Sequence, residues 1–306
     1  MNPPRPMKLV FKTPAKINLG LFILGKRPDG YHDLETLFQM VSLYDTVELE
    51  SIDDRIELVC DHPEVPADDS NLMVRAAQLL KDAFPEKAGL GCRMVLEKRI
   101  PMGAGLGGGS GNAAGVLRGL NRLWDLGLET PALMKLAAQL GSDVPFFLCA
   151  PSALGEGRGE RLTPLQSPDK FWVILVFPKV SVATAEVYGA LNLDLTKTPK
   201  NISILREFFS QSNIASLGAH LHNDLEPIVI KRLPVIESIK DKFNSLHADG
   251  TLLSGSGSAV FGIFEDSKGA EQAYARCREE QGWETFLTET VTSFSEFMPA
   301  DLLNVP

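Results

Sequence analysis

CRMVLEKRI (92–100), PMGAGLGGGSGN (101–112) and AAGVLRGLNRLW (113–124) follow one another without a break, and their reading decides the fold. The first piece predicts a strand. The last predicts a helix, because Ala113, Val116, Leu117, Leu120 and Trp124 fall at i, i+3, i+4, i+7 and i+11. Within the seven positions 103–109 fall five glycines (Gly103, Gly105, Gly107, Gly108 and Gly109). Glycine takes positive φ and brings backbone close to a ligand with no Cβ in the way. The helix start behind the loop offers unpaired N–H groups and the positive end of a dipole. Residues 101–110 therefore read as a phosphate site, with the Ser110 hydroxyl placed for a phosphate oxygen or a Mg²⁺. A plain glycine linker is the weaker reading, given how tightly strand and helix flank the loop.

Two familiar phosphate loops do not fit. Gly103, Gly105 and Gly108 spell G-x-G-x-x-G, but a dinucleotide fold needs an acid at the end of a second strand ~20 residues on. Here that span is helical. A Walker loop needs G-K-[S/T], which the chain lacks.

Outward from the loop, residues 8–24 predict two strands bent at Thr13-Pro14-Ala15, and residues 25–33 a turn-rich loop. Residues 45–52 predict a strand with 54–60 as its hairpin partner. A helix is expected at 71–83 and another at 131–140, stopping at Gly141. The glycines of 155–159 mark a change of composition, which places a domain boundary near residue 160. Beyond it come the strand FWVILVF, helices at 206–211, 226–245 and 268–281, and strands near 251–254, 259–264 and 290–294. Two domains, 1–160 and 161–306, suit a 306-residue chain. Residues 1–6 read as a disordered lead-in, with Met7 as a possible original start.

A net charge of −9 offers no general attraction to nucleic acid. The longest strongly apolar run, 171–177, is far below the ~20 residues a membrane span needs. The four cysteines are widely spaced, and His62, His220, His222 and His247 show no ligand spacing. A soluble, cytoplasmic protein with reduced thiols is expected.

Pro101 to Ser110 resemble the second motif of the GHMP kinase superfamily. Pro14-Ala15-Lys16-Ile17-Asn18-Leu19 is similar to its first motif, and Leu253-Ser254-Gly255-Ser256-Gly257-Ser258 to its third. The resemblance implies an α+β fold of two domains, an N-terminal ribosomal-protein-S5-domain-2-like one that binds ATP and a C-terminal ferredoxin-like one that binds substrate. Asp29-Gly30-Tyr31-His32-Asp33-Leu34, Thr36-Leu37-Phe38-Gln39, Gly141 to Phe147, Asn71-Leu72 and Asn223 to Glu226 are similar to one branch of that superfamily. That branch phosphorylates a cytidine diphosphate-linked methylerythritol on the non-mevalonate route to isoprenoid precursors. Ser142 and Ser256–Ser258 depart from the pattern only among small residues.

By this resemblance Asp143 is the base and Lys16 its partner, with ATP and Mg²⁺ as cosubstrate and metal. Physical chemistry agrees that phosphoryl transfer needs positioning, charge neutralisation and an acceptor for the hydroxyl proton. From the residues alone Asp143 reads equally as a turn carboxylate, and Lys16 as an outward-facing strand lysine. The resemblance assigns Tyr31 and His32 to the cytidine, Tyr188 as an opposing ring and Asn18 to the erythritol. Tyr31 and His32 otherwise read as surface loop residues, and Tyr188 as a core tyrosine. Lys98 reads as a nucleotide contact or a solvated strand-end lysine, and Asn71 as an adenosine contact or a helix N-cap. Alternatives in function are a homoserine or mevalonate kinase of the same superfamily, a dinucleotide-dependent oxidoreductase, and an inactive nucleotide-binding regulator.

Overall fold

The computed structural model describes residues 8–167, 169–191 and 202–303, so the expectations for residues 1–6 and Met7 lie outside the described residues. Two sheets organise the chain. The first takes β1 (Lys8–Lys26), β2 (His32–Asp53), β3 (Ile56–Cys60), β4 (Leu90–Glu97), β5 (Ser152–Gly157), β6 (Arg161–Pro164) and the short β8 (His222–Asn223). The second takes β7 (Trp172–Phe177), β9 (Gly250–Leu253), β10 (Val260–Phe264) and β11 (Glu284–Glu289), all antiparallel, in the order β11-β7-β10-β9.

In the first sheet the order is β3-β4-β2-β1-β8, with β5 and β6 continuing from the other half of β2. Residues 8–26 form one strand, and Thr13-Pro14-Ala15 is a register shift within it rather than a break. A second shift at Asn18/Gly20 adds a residue and swaps the faces beyond it. Ile17 and Leu19 consequently sit in the core between the two sheets, while Leu21 and Ile23 join the core of the second half. Residues 54–60 are not the hairpin partner of β2; β3 runs parallel to β4. A parallel pair needs a crossover, and α1 (Leu72–Ala83) supplies it. Its apolar face (Met73, Val74, Ala76, Ala77, Leu80) is buried against the sheet's core.

Behind the glycine loop runs α2 (Gly108–Leu123), then α3 (Thr130–Leu140) and the single turn α4 (Phe146–Cys149). Helices α5 (Thr184–Gly189), α6 (Ile202–Ser210), α7 (Ile214–Ala219), α8 (Glu226–Arg232), α9 (Val235–Ser245) and α10 (Ser267–Arg278) follow, and α11 (Ala300–Leu303) closes the described chain. The helix expected over 226–245 is two, because Pro234 ends the first and caps the second. The last strand is 284–289, paired with β7, whereas 290–294 keeps a single bridge, Val41 to Thr290.

Segments from both sides cross the boundary expected near residue 160. β6 at 161–164 still pairs with β5 in the first sheet. The C-terminal Val291, Phe297, Met298 and Leu302 bury in the N-terminal core, and β8 lies beside β1. The halves therefore exchange segments instead of meeting at one cut. Strand β7 shows why they adhere: Val173 and Leu175 face the core shared with β1, while Ile174 and Val176 face α9 and α10. Among the described residues no helix is long and apolar enough to cross a membrane.

Candidate active site

A cleft of about 1310 Å³ opens between the first sheet, the glycine loop and α5. Its floor is the loop itself. Gly103, Gly105 and Gly107 hold φ of 64°, 76° and 69°, and Gly107 stands at the N-cap of α2 with no side-chain cap. The first amides of a 16-residue helix are thus left for a ligand. Gly108, Gly109 and Ser110 form that first turn and line the cleft with Pro101 and Met102. Ala104 and Leu106 are 1 % exposed, their side chains embedded in the core between the sheets, so they present backbone to the cleft.

The third glycine segment folds onto this loop. Ser254 Oγ donates to Gly105 O at 3.1 Å, and Ala259 N donates to Ala104 O at 3.0 Å. A Cβ on Gly105 would stand 2.1 Å from Ser254 O. A carbonyl in a buried turn cannot yield that far, and alanine at this φ adds about 1 kcal/mol of strain. Gly105→Ala is therefore expected to weaken ADP binding by at least about tenfold, which calorimetric titration would show. Unchanged affinity in a folded variant would separate this loop from the nucleotide.

Lys16 on β1 is 3 % exposed and faces the cleft. Its Nζ donates to Asn18 Oδ1 at 2.6 Å and lies 3.6 Å from Asp143 Oδ2, with the Phe38 ring 5.5 Å away. Burial pushes the ammonium's pKa below the usual lysine value, and Asp143 opposes that shift. The outward-facing reading of Lys16 is excluded. The Asn18 amide is fixed in turn, since its Nδ2 donates to Thr36 Oγ1 at 2.8 Å, whose hydroxyl donates to Gly20 O at 2.7 Å. Asp143 projects from the turn between α3 and α4. Its carboxylate is not used as a cap, because Pro145 starts α4 with no side-chain bond. Lys16 N also donates to Leu106 O at 2.9 Å, which seats β1 directly against the glycine loop.

Also lining the cleft, the His32 and Tyr188 rings face each other at 5.5 Å, tilted 33°. The core reading of Tyr188 is half right. It is largely covered, and burial, then Asp143, raise its pKa well above the ordinary range, yet its ring lines the cleft. Burial, then Lys26, lower the His32 pKa. Tyr31 is 55 % exposed at the rim, with the Arg158 guanidinium 4.8 Å over its ring. Arg158, Thr184 and Ser256 also line the cleft, the last two joined by a hydroxyl bond of 2.8 Å. Sequence reasoning passed over Arg158 and Thr184, and named Ser256 only as part of the third motif. Arg158 had a local signal, a cation in the glycine turn GEGRGE, but nothing named its partner.

Two expected contacts carry structural duties. Asn71 caps α1: its Oδ1 accepts from Met73 N at 2.8 Å and its Nδ2 donates to Pro66 O at 2.7 Å, although it borders the cleft. Lys98 is not a solvated strand-end lysine; its side chain is 6 % exposed and paired with the fully buried Asp45 at 2.7 Å. It too reaches the cleft wall. Among the described residues no cluster of three His, Cys, Asp or Glu is placed to hold a metal ion.

Residues 71–150 match the family described as GHMP kinases N terminal domain, and residues 205–281 the one described as GHMP kinases C terminal. The chain belongs to the GHMP kinase family. It is 41% identical over 269 residues to the 4-diphosphocytidyl-2-C-methyl-D-erythritol kinase of a Geobacillus species, spanning 88% of this chain and 92% of that one. A crystal structure of 4-(cytidine 5′-diphospho)-2C-methyl-D-erythritol kinase superposes with a TM-score of 0.76 at 34% identity, covering 93% of this chain and 99% of the other. Within the GHMP kinases, then, this chain falls in the 4-diphosphocytidyl-2-C-methyl-D-erythritol kinase family. Homoserine kinase from Cytophaga hutchinsonii shares the fold, with a TM-score of 0.75 over 96% and 97% of the two chains, at 16% identity. At that identity the likeness shows the fold alone.

Proposed function

We propose that the protein transfers the γ-phosphate of ATP to the 2-hydroxyl of 4-diphosphocytidyl-2-C-methyl-D-erythritol, a step of isoprenoid precursor synthesis by the non-mevalonate (MEP) route. The observation that carries this reading is the convergence, in one cleft, of three things: a glycine loop at a helix start, the Lys16–Asp143 pair, and the His32–Tyr188 ring pair. The loop amides hold the triphosphate and the rings hold the cytosine, which stacks on any flat aromatic face. Asp143 accepts the hydroxyl proton as the oxygen bonds to the γ-phosphorus and ADP departs. Lys16 offsets charge on the moving phosphoryl group, while Asn18 orients the polyol.

Magnesium keeps several waters and takes much of its coordination from substrate phosphates, and the Ser110 hydroxyl, in the first turn of α2 at the cleft wall, is an oxygen donor beside the place proposed for them. Ser110 would hold the Mg²⁺ ion, and the ion would supply charge neutralisation for the phosphates. The four free thiols suit a reducing compartment such as the cytoplasm. The test is substrate choice. ADP release is expected with the cytidine diphosphate-linked alcohol and not with homoserine or mevalonate, and CDP is expected to compete with the alcohol. Turnover of homoserine or mevalonate that CDP does not inhibit would move the assignment to another member of the family.

A further inference from the structure

Asp45 is fully buried on β2, and four hydrogen bonds converge on its carboxylate. Oδ1 accepts from Arg99 N at 2.7 Å and Ile100 N at 2.8 Å. Oδ2 accepts from Lys98 Nζ at 2.7 Å and Asn112 Nδ2 at 3.0 Å. Lys98, Arg99 and Ile100 lead directly into the glycine loop, and Asn112 lies in the helix that leaves it. Asn112 is anchored again by its bond to Thr13 Oγ1 at 2.7 Å, and Lys98 Nζ also donates to Ile100 O at 2.5 Å. One carboxylate thus ties the approach and the departure of the loop to the same strand.

A loop with five glycines has a large conformational freedom to lose when it grips an anion. Fixing both of its ends beforehand removes part of that cost. The pairing has a second consequence. Lys98, a cation at the cleft wall, is already neutralised by Asp45, so the triphosphate is held mainly by fixed amides.

We infer that Asp45 is the positioning residue of the nucleotide loop: it touches no substrate, and it sets ATP affinity by clamping residues 98–100 to Asn112. The inference rests on residues 103–110 being the triphosphate cradle. An Asn in its place keeps one oxygen for the Arg99 and Ile100 amides, but turns an NH₂ toward the Lys98 ammonium and the Asn112 amide.

The experiment compares Asp45→Asn and the milder Asn112→Ala with the wild-type chain. It measures kcat, KM for each substrate, ADP affinity by calorimetry and thermal unfolding. Asp45→Asn is expected to raise KM for ATP, and to weaken ADP binding, by about tenfold or more, and Asn112→Ala by about threefold. KM for the alcohol stays within about twofold of wild type in both. A parallel rise in both KM values marks general loosening and overturns the inference. So does unchanged nucleotide affinity in either folded variant, and if Asp45→Asn does not fold, Asn112→Ala decides alone. If the wild-type chain itself fails to bind ADP, the cradle reading falls instead, a distinct result.

Discussion

An Asp143→Asn variant is expected to lose about a thousandfold in kcat while KM for ATP moves only a few-fold. The asparagine has the same shape, so the turn between α3 and α4 survives, and its carboxamide still reaches toward Lys16. It cannot take a proton from the hydroxyl, and it no longer supplies the negative charge that offsets Lys16 burial. The fold should tolerate this, because Lys16 keeps its 2.6 Å bond to Asn18 and the Asp143 side chain is 37% exposed. Steady-state rates beside a thermal unfolding curve check the expectation. Turnover near wild type in a folded variant would remove Asp143 from the chemistry.

Lys16→Met is expected to cost about 10²- to 10³-fold in kcat/KM, the usual loss when a preorganised charge at a developing anion is removed. A pH series adds a sharper signature. The active form carries the ammonium, and burial holds its pKa below 10.5 in the free protein. The contribution of Lys16 is therefore complete below that lowered value and declines as pH rises through it, so the alkaline limb of kcat/KM begins earlier than for an ordinary lysine. Lys16→Arg, which stays protonated, should abolish that limb even though its bulk lowers the rate. An alkaline limb that persists in Lys16→Arg would assign it to another group.

The glycine loop was legible from sequence because its requirement is local. Positive φ, a strand before and an amphipathic helix after all leave a mark in neighbouring residues. Lys16 left a weaker mark, an ammonium inside an apolar strand. The partner of β3 left none. Residues 54–60 alternate whether they pair with β2 or β4, and the choice fell to the crossover helix α1. The strand expected at 290–294 failed similarly: β11 at 284–289 took the free edge of β7, and the tail turned back into the first core. Asp45 went unread because nothing adjacent distinguishes a buried carboxylate in DTVELE from a solvated one, and Arg158 because its glycine turn does not name the distant tyrosine it covers.

The order of glycines, helix faces and motif residues is written along the chain, and it sufficed to give the kinase family and residues that line the cleft. Which of those residues meet was set by tertiary structure. The bulge in β1 chooses the face its residues take beyond Asn18, the third glycine segment closes on Gly105, and Tyr188 is carried to His32 from 156 residues away. Local backbone preference acts over a few neighbours, whereas a shared core is a sum over residues distant in sequence. A chain can therefore announce its glycine loop and still conceal what holds it in place.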